Sequence, residues 1–573
     1  MKHRLPAILL LCLGHVAWGQ DHEEAASQYW LDGFARTWFT SNSMVNQPEP
    51  AVSAGWNLLD LNPHVNPTPN VEVFAQVRVL NEFGGFFGQG TQVDVRQLRV
   101  SGVLNGKVRF NVGDIYLNQS QYTLHADDGE VFDPWGMAFE AQRNLVAYEN
   151  FFEDNRWRLQ GAHANAVFLG DRWVERLVLD GYATRPRGSR QLSESSYVPD
   201  RVLAGVTSAV VGQDGWSGEF HHSLMADLPQ SGTAAHNVLN PVVHGLVHKE
   251  GERQGAHMTW TAEAGASRRG WRLRELNAPD LDSVAFSVRG GFAGLNLDVT
   301  SQDSSWTMHA SYREVDPFFR SAGSQSKRYN FSDLPAPAVF PTVDAGSTTR
   351  TASLFDLLTD VSRANQSLSP TLMAVAPLFD NIMPFGLATP NRRGGELALE
   401  KQSNALAMKL DLGVHAELTG QGTTQLRRFN AVGLGAEWSS TTTPHPWRVS
   451  MYEQVQQTQR DGSALEAIDL LTSNLTMSAG YEVWPGTWLE GSGRHAAGRG
   501  HEFLALRDGF GTLYNFERVE LDTQAWMTSL GIKHILAKDI SASVQWNAWG
   551  QGGVDNEAGL RANQVFIVIS ARL

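Results

Sequence analysis

The closing stretch, Trp526 to Leu573, constrains the fold more than any other part of the chain. Trp526, Thr528, Leu530, Ile532, His534 and Leu536 take alternate positions before Ala537-Lys538-Asp539 turns the chain. Ile540, Ala542, Val544, Trp546 and Ala548 alternate again, and after a polar Gly/Asn loop so do Val565, Ile567, Ile569, Ala571 and Leu573. A period of two marks strands whose two faces meet different solvents. Three such strands joined in sequence make an antiparallel meander that ends with the chain.

A soluble sheet also alternates, and the length of the runs separates the two cases. Runs of about ten residues match a tilted strand through a bilayer. The last run resembles the terminal strand of bacterial outer-membrane β-barrels, which ends on an apolar residue with apolar residues at alternate positions before it. It departs from that class in ending on Leu573 where an aromatic is usual. The resemblance implies an all-β fold, with membrane lipid, lipopolysaccharide and the barrel-assembly machinery as partners. Two internal phrases, Phe318 to Gln325 and Phe385 to Arg392, are similar to stretches in bacterial surface barrels.

The amino terminus agrees with export. Lys2 and Arg4 precede an apolar run from Ile8 to Leu13, and Ala17-Trp18-Gly19 supplies a small-x-small cleavage site before Gln20. Residues 1–19 are thus read as a signal peptide and 20–573 as the barrel. Cys12, the one cysteine, lies within the signal, so the mature chain has no disulfide, thiolate ligand or cysteine nucleophile. Loss of Lys2 and Arg4 takes the formal charge from −14 to −16, and no basic block suggests nucleic acid. A hydrophobic fraction of 42% fits a barrel, because every second residue of its strands faces the lumen.

Along the chain, Tyr29 to Phe39 reads as a first strand or a lumenal segment, and Ser41 to Asn70, rich in Pro and Asn, as a long loop. Val71, Val73, Ala75, Val77 and Val79 alternate with Glu72, Phe74, Gln76, Arg78 and Leu80. Asn105-Gly106 supplies the positive-φ pair of a type I′ hairpin, and the phase slips at Arg96-Gln97, which predicts a bulge. Trp157, Trp173, Trp216, Trp271, Trp306, Trp447, Trp488 and Trp526 follow turn clusters, where the aromatic girdle of a barrel belongs.

The clearest strand runs through Leu406, Met408, Leu410, Leu412, Val414, Ala416 and Leu418, with Lys409, Asp411, His415 and Glu417 on the other face. Those charges are too many for a buried sandwich core. With Glu72 and Arg78 they are the candidate pore-lining residues. Between Asp316 and Gly395 the alternation breaks, and residues 331–393 read as a long loop packed into or over the mouth. A helix over Ser353 to Arg363 would present Leu354, Leu357, Leu358 and Val361 as a constriction or lid.

No catalytic motif is present. Gly265-Ala266-Ser267-Arg268-Arg269 misses G-x-S-x-G, and H-E-x-x-H is absent. His534 near Ser541 or Ser543 is not distinguishable from ordinary strand residues, and adjacent His221 and His222 point to opposite faces, so no metal site follows. Asp127, Asp128 and Glu130 carry carboxylates of the kind Ca²⁺ takes, without the spaced ligand series of a calcium loop, so a solvated acidic loop is expected. The reading is a single antiparallel transmembrane β-barrel of about 18 strands with one long, partly helical loop, and no cofactor. Its expected role is passage or binding of small polar solutes. A non-transporting surface barrel that serves a secretion or adhesion system stands second, and a barrel hydrolase third.

Overall fold

Alternation along nearly the whole chain becomes one closed sheet. A computed structural model describes residues 28–45, 50–83, 90–126, 135–151, 153–171, 173–191, 197–228, 235–253, 255–274, 282–325, 343–344, 347–348, 380–383, 386–420, 423–440, 442–507, 513–553 and 560–573. Residues 1–19, read as a signal peptide, the acidic stretch at Asp127, Asp128 and Glu130, and Leu354, Leu357, Leu358 and Val361, expected to form a constriction, lie outside these residues.

The sheet has 22 strands, all antiparallel to their neighbours, where about 18 were expected. It begins with β1 (Tyr29–Met44), β2 (Val52–Thr68), β3 (Val71–Glu82), β4 (Thr91–Leu104) and β5 (Val108–Leu117). It ends with the three strands of the closing meander, Leu513–Ala537, Ile540–Gly553 and Leu560–Arg572. Closure comes from β1, which pairs with β2 on one side and with the last strand on the other, Thr37 opposite Ile569. The 22-stranded sheet is thereby left without an open edge strand.

β2 corrects the loop reading of Ser41 to Asn70. Its prolines are accommodated because the pairing with β3 passes from Leu61 opposite Val77 to His64 opposite Phe74, so Pro63 need donate nothing there. Two other local readings hold. Asn105 and Gly106 both have positive φ (51° and 66°) in the β4–β5 turn. The pairing of β3 with β4 shifts from Gln76 opposite Gln97 to Val77 opposite Val95, which leaves Arg96 as the bulged residue.

The two faces have opposite chemistry. Leu412, Val432, Leu434, Leu530, Ile532, Val544, Trp546 and Ile569 are exposed on the outer face, while Asp60, Arg78, Gln545, Asn547 and Gln564 are buried on the inner one. Connections at one end, such as residues 69–70, 105–107 and 538–539, are short, and the start of β1 and the end of the last strand lie at that end. Trp173, Trp216, Trp306, Trp438 and Trp484 are exposed there. Three of the tryptophans behave otherwise: Trp271 lies inside the strand Ala256–Arg274, near its long-connection end. Trp157 is buried facing inward, and Trp526 lies inside a strand that already begins at Leu513. The opposite end carries the long connections.

Candidate functional site: the lumen and its inward segments

A barrel of 22 strands encloses a lumen too wide for its own wall side chains to fill. Here the chain turns back into that lumen. Between β5 and β6 (Trp157–Leu169), the described residues 118–126, 135–151 and 153–156 lie inside the lumen, having entered from the long-loop end. Gln121 donates to Glu263 (2.9 Å), and Tyr122 stacks on Phe292 with centroids 3.9 Å apart and Phe319 at its edge. The backbone N–H of His125 donates to the carbonyl of Gly323 (2.8 Å), as does the Trp157 indole (2.7 Å).

After the acidic loop the segment reappears against the opposite wall. Trp135 stacks on Tyr452 (5.3 Å), Ala138 N–H donates to Ser492 Oγ (2.9 Å), Gln142 Nε2 donates to Gln545 Oε1 (2.7 Å), and Gln545 Nε2 donates to the Ala138 carbonyl (2.6 Å). Helix α1 (Glu140–Asn150) then runs along the wall. It contains neither Gly nor Pro, and Glu140 in its first turn suits the helix dipole. Phe139, Gln142, Leu145 and Glu149, at helical spacing, are buried on one face, and Asn144 is exposed on the other. Leu145 packs with Trp38, Leu58, Phe566 and Val568. The helix ends at Phe151, whose left-handed φ of 56° returns its N–H to Ala147 and Tyr148. That unfavourable backbone is held by Arg96 and Arg158, whose guanidiniums sit 4.2 and 4.0 Å from the Phe151 ring.

The helix is fixed to the wall by a buried charge cluster. Arg78 is bidentate on Asp60 (2.7 and 2.7 Å) and also donates to Glu149 Oε2 (2.5 Å) and Oε1 (3.1 Å). Arg36 reaches Glu149 at 3.2 Å, and Arg96 lies 3.4 Å from both carboxylates. The Tyr148 hydroxyl donates to Asp60. Burial pushes that hydroxyl's pKa up, and the bond to Asp60 pushes it further. Three guanidiniums thus face two carboxylates, close enough that each charge is compensated in a low-dielectric site. The bulge at Arg96 turns its side chain into this cluster.

Two further stretches point inward, and they carry the phrases singled out from sequence. Phe319 is fully buried beside Phe292, Gln325 Nε2 donates to the carbonyl of Ala388 (2.7 Å), and Arg392 lies 3.6 Å over the Phe429 ring. Asn381 is bound to Gln456 and Thr472, each at 3.0 Å.

The six candidate pore residues all lie on the inner face, in three different situations. Arg78 is consumed by the wall cluster. His415 and Glu417 are buried; His415 lies 3.6 Å from Glu396, and Glu417 accepts the Arg427 N–H at 2.9 Å. Glu72, Lys409 and Asp411 keep part of their surface exposed. Glu72 pairs with His64 at 2.5 Å; Lys409 meets Glu400 (3.4 Å) and Asp411 (3.6 Å), and Asp411 accepts from Tyr452 (2.9 Å). Lys409, Asp411 and Glu400, with Asp298 and His309 (2.7 Å apart) on the neighbouring strands, form an ion-paired strip nearer the short-turn end, whereas Glu72 lies on another sector of the wall. Sequence reasoning missed residues 118–156 as an inward element. Its signal was a gap between strands holding a Pro-free helical run, and the acidic loop drew the reading instead. His534 faces outward while Ser543 is buried inside, so the two form no pair, and His221 faces inward against His222 outward.

The closed sheet has an apolar outer face and a polar inner one, and inward segments enter its lumen. The chain is a β-barrel of the outer-membrane type. No protein-family model matches the sequence, and no curated protein matches it. Among solved structures it is similar to the ferric citrate transporter FecA in its unliganded form, at TM-score 0.45 and 10% identity over 95% of this chain and 79% of that one. It is also similar to Pseudomonas aeruginosa OccK5 (OpdH), at TM-score 0.35 and 7% identity over 95% and 98% of the two chains. Acinetobacter baumannii OccAB4 gives 0.32 and 8% over 96% and 99%. Likeness at this level carries nothing about solute or mechanism.

Proposed function

We propose that this protein is an exported bacterial outer-membrane channel for small polar solutes, narrowed by residues 118–156. The observation that carries the reading is the helix α1 anchored flat against one wall by Glu149, with the partly exposed strip of Asp298, His309, Glu400, Lys409 and Asp411 left on another sector. A wall-bound helix narrows a wide lumen without having to fill it. Charges along the remaining strip discriminate among solutes because low-dielectric walls focus their field. Three carboxylates against one lysine lean the strip towards cations.

The exposed tryptophans at the short-turn end act as an aromatic girdle on the periplasmic side, and the long connections face outward. A cleaved signal peptide ending at Gly19 and handling by the barrel-assembly machinery belong to the same reading. A second reading, a barrel sealed by its own loops that serves as a surface scaffold, is favoured by the junction of Leu124, Trp157 and Gly323, where separate inward segments meet. Single-channel recording in planar bilayers separates the two. Steady open current at neutral pH supports the channel, and silence across many insertions supports the scaffold.

A further inference from the structure

The outer face holds a feature that lumenal transport does not use. On the adjacent strands Ala256–Arg274 and Asp282–Ser301, Arg268 stands directly opposite Arg289, and both side chains are exposed. Like charges paired across an antiparallel ladder repel and are destabilising unless something answers them. Among the described residues neither guanidinium has a carboxylate partner; Arg268 Nε donates only to Ser287 Oγ, at 3.0 Å. On the same face, towards the short-turn end, the wall is cut back to small residues. Gly218, Gly245, Ala262, Ala264 and Ala293 floor an apolar groove of about 730 Å³ between Phe220, Val247, Leu295 and Tyr312. Ala264 and Ala266 lead along one strand from the groove to Arg268, and Ala293 and Gly291 lead along the other to Arg289.

The heights fit one kind of ligand. Trp260, exposed near the short-turn end of the same strand, marks the lower edge of its apolar band. Eight residues at about 3.3 Å each, on a strand tilted by roughly 40°, lift Arg268 about 20 Å, into the upper part of a band ~25 Å tall. A cation pair at the outer boundary above a groove in the apolar zone is the outline of an amphiphile with an anionic head. Guanidiniums bind phosphate through paired N–H donors.

We propose that this face is a binding site for a phosphorylated, multiply acylated glycolipid of the outer leaflet. Arg268 and Arg289 hold a phosphate of its head, Ser287 lies beside that phosphate, and one acyl chain lies in the groove below. The proposal rests on the outer-membrane reading and on its orientation, with long connections outward.

The test uses the full-length protein purified from outer membranes in mild detergent, with native mass spectrometry against added lipopolysaccharide. A parallel titration uses the same lipid with its head phosphates removed. Arg268→Gln/Arg289→Gln is expected to weaken binding on the order of ten-fold or more, from about 1 kcal/mol per basic residue. Dephosphorylation of the lipid should weaken binding to the wild type equally, and Arg268→Lys/Arg289→Lys, which keeps the charge but loses the paired donors, should fall between the wild type and the glutamine variant. Ala264→Trp, which fills the groove and leaves the charges, should also weaken it. Wild-type affinity in the double glutamine variant, equal binding of the dephosphorylated lipid, or equal binding of a zwitterionic phospholipid would each overturn the site. Heat-modifiable electrophoretic migration checks that each variant is a folded barrel. Recovery of the wild type outside the outer membrane would overturn the membrane reading itself, a separate result.

Discussion

Neutralising Glu149 should release helix α1 from the wall. In the native cluster Glu149 and Asp60 answer Arg36, Arg78 and Arg96, all five buried or nearly so. Glu149→Gln leaves three cations against one carboxylate, so the local excess rises from one charge to two. Removing one partner of such a buried set costs about 3–5 kcal/mol. The remaining anchors of the segment, at Ser492, Gln545 and Lys533, lie at the other end of the helix and do not touch this cluster. The cost therefore falls on docking of the last turns. Hydrogen exchange over residues 140–150, measured by mass spectrometry in nanodiscs, should accelerate by roughly two to three powers of ten, at 1.4 kcal/mol for each ten-fold. Glu140→Gln is the control, because its partner Lys533 and Glu140 itself are both partly exposed, and such pairs contribute about 0–1 kcal/mol. Exchange in Glu149→Gln that matches the wild type, or that matches Glu140→Gln, would show that the charge cluster does not hold the helix.

Three other outcomes follow from the same structure. Leu412→Arg should destabilise the barrel by about 2–4 kcal/mol in a refolding titration and Asp411→Arg far less, because one faces lipid and the other the lumen; equal costs would contradict the assignment of faces. Glu453 sits mid-strand on the outer face between Leu434 and Leu475, with a single hydrogen bond from Ser473 (3.3 Å), so Glu453→Leu should raise stability by about 1–2 kcal/mol, less than the ~2–4 of a lipid-facing cation; a loss of stability would mean that the carboxylate has a partner of its own. Tyr122 and Tyr148 have hydroxyls raised chiefly by burial, so the folded state keeps their protons where the unfolded chain loses them, and stability should fall as pH climbs above about 10; Tyr148→Phe should flatten that decline, and an unchanged slope in ultraviolet titration of unfolding would refute it.

Local alternation carried much of the fold into view, because a strand between lipid and lumen must declare both faces in its own residues. The closing meander, the Asn105-Gly106 turn and the bulge at Arg96 were legible for that reason. β2 was hidden by Pro63 and Pro67, which read as loop and are tolerated through a gap in one ladder. The strand count depended on every such segment being recognised. The site was harder to read. Arg78 was visible as an inward charge, but its partners Asp60 and Glu149 come from another strand and from a loop 71 residues away in sequence. A lumenal helix also alternates with the wrong period for a strand search, and its buried face shows only against a wall whose register is already known.

Passage of solutes through the barrel separates an open channel from a sealed scaffold. Liposomes loaded with purified protein should swell in isosmotic solutions of small sugars and amino acids, at rates that drop with solute size. Removal of residues 119–151 should shift that cutoff upward, because the narrowing element is gone while the 22-stranded wall remains. Liposomes that swell no faster than protein-free ones for every small solute, with the wild type folded and inserted, would contradict the channel.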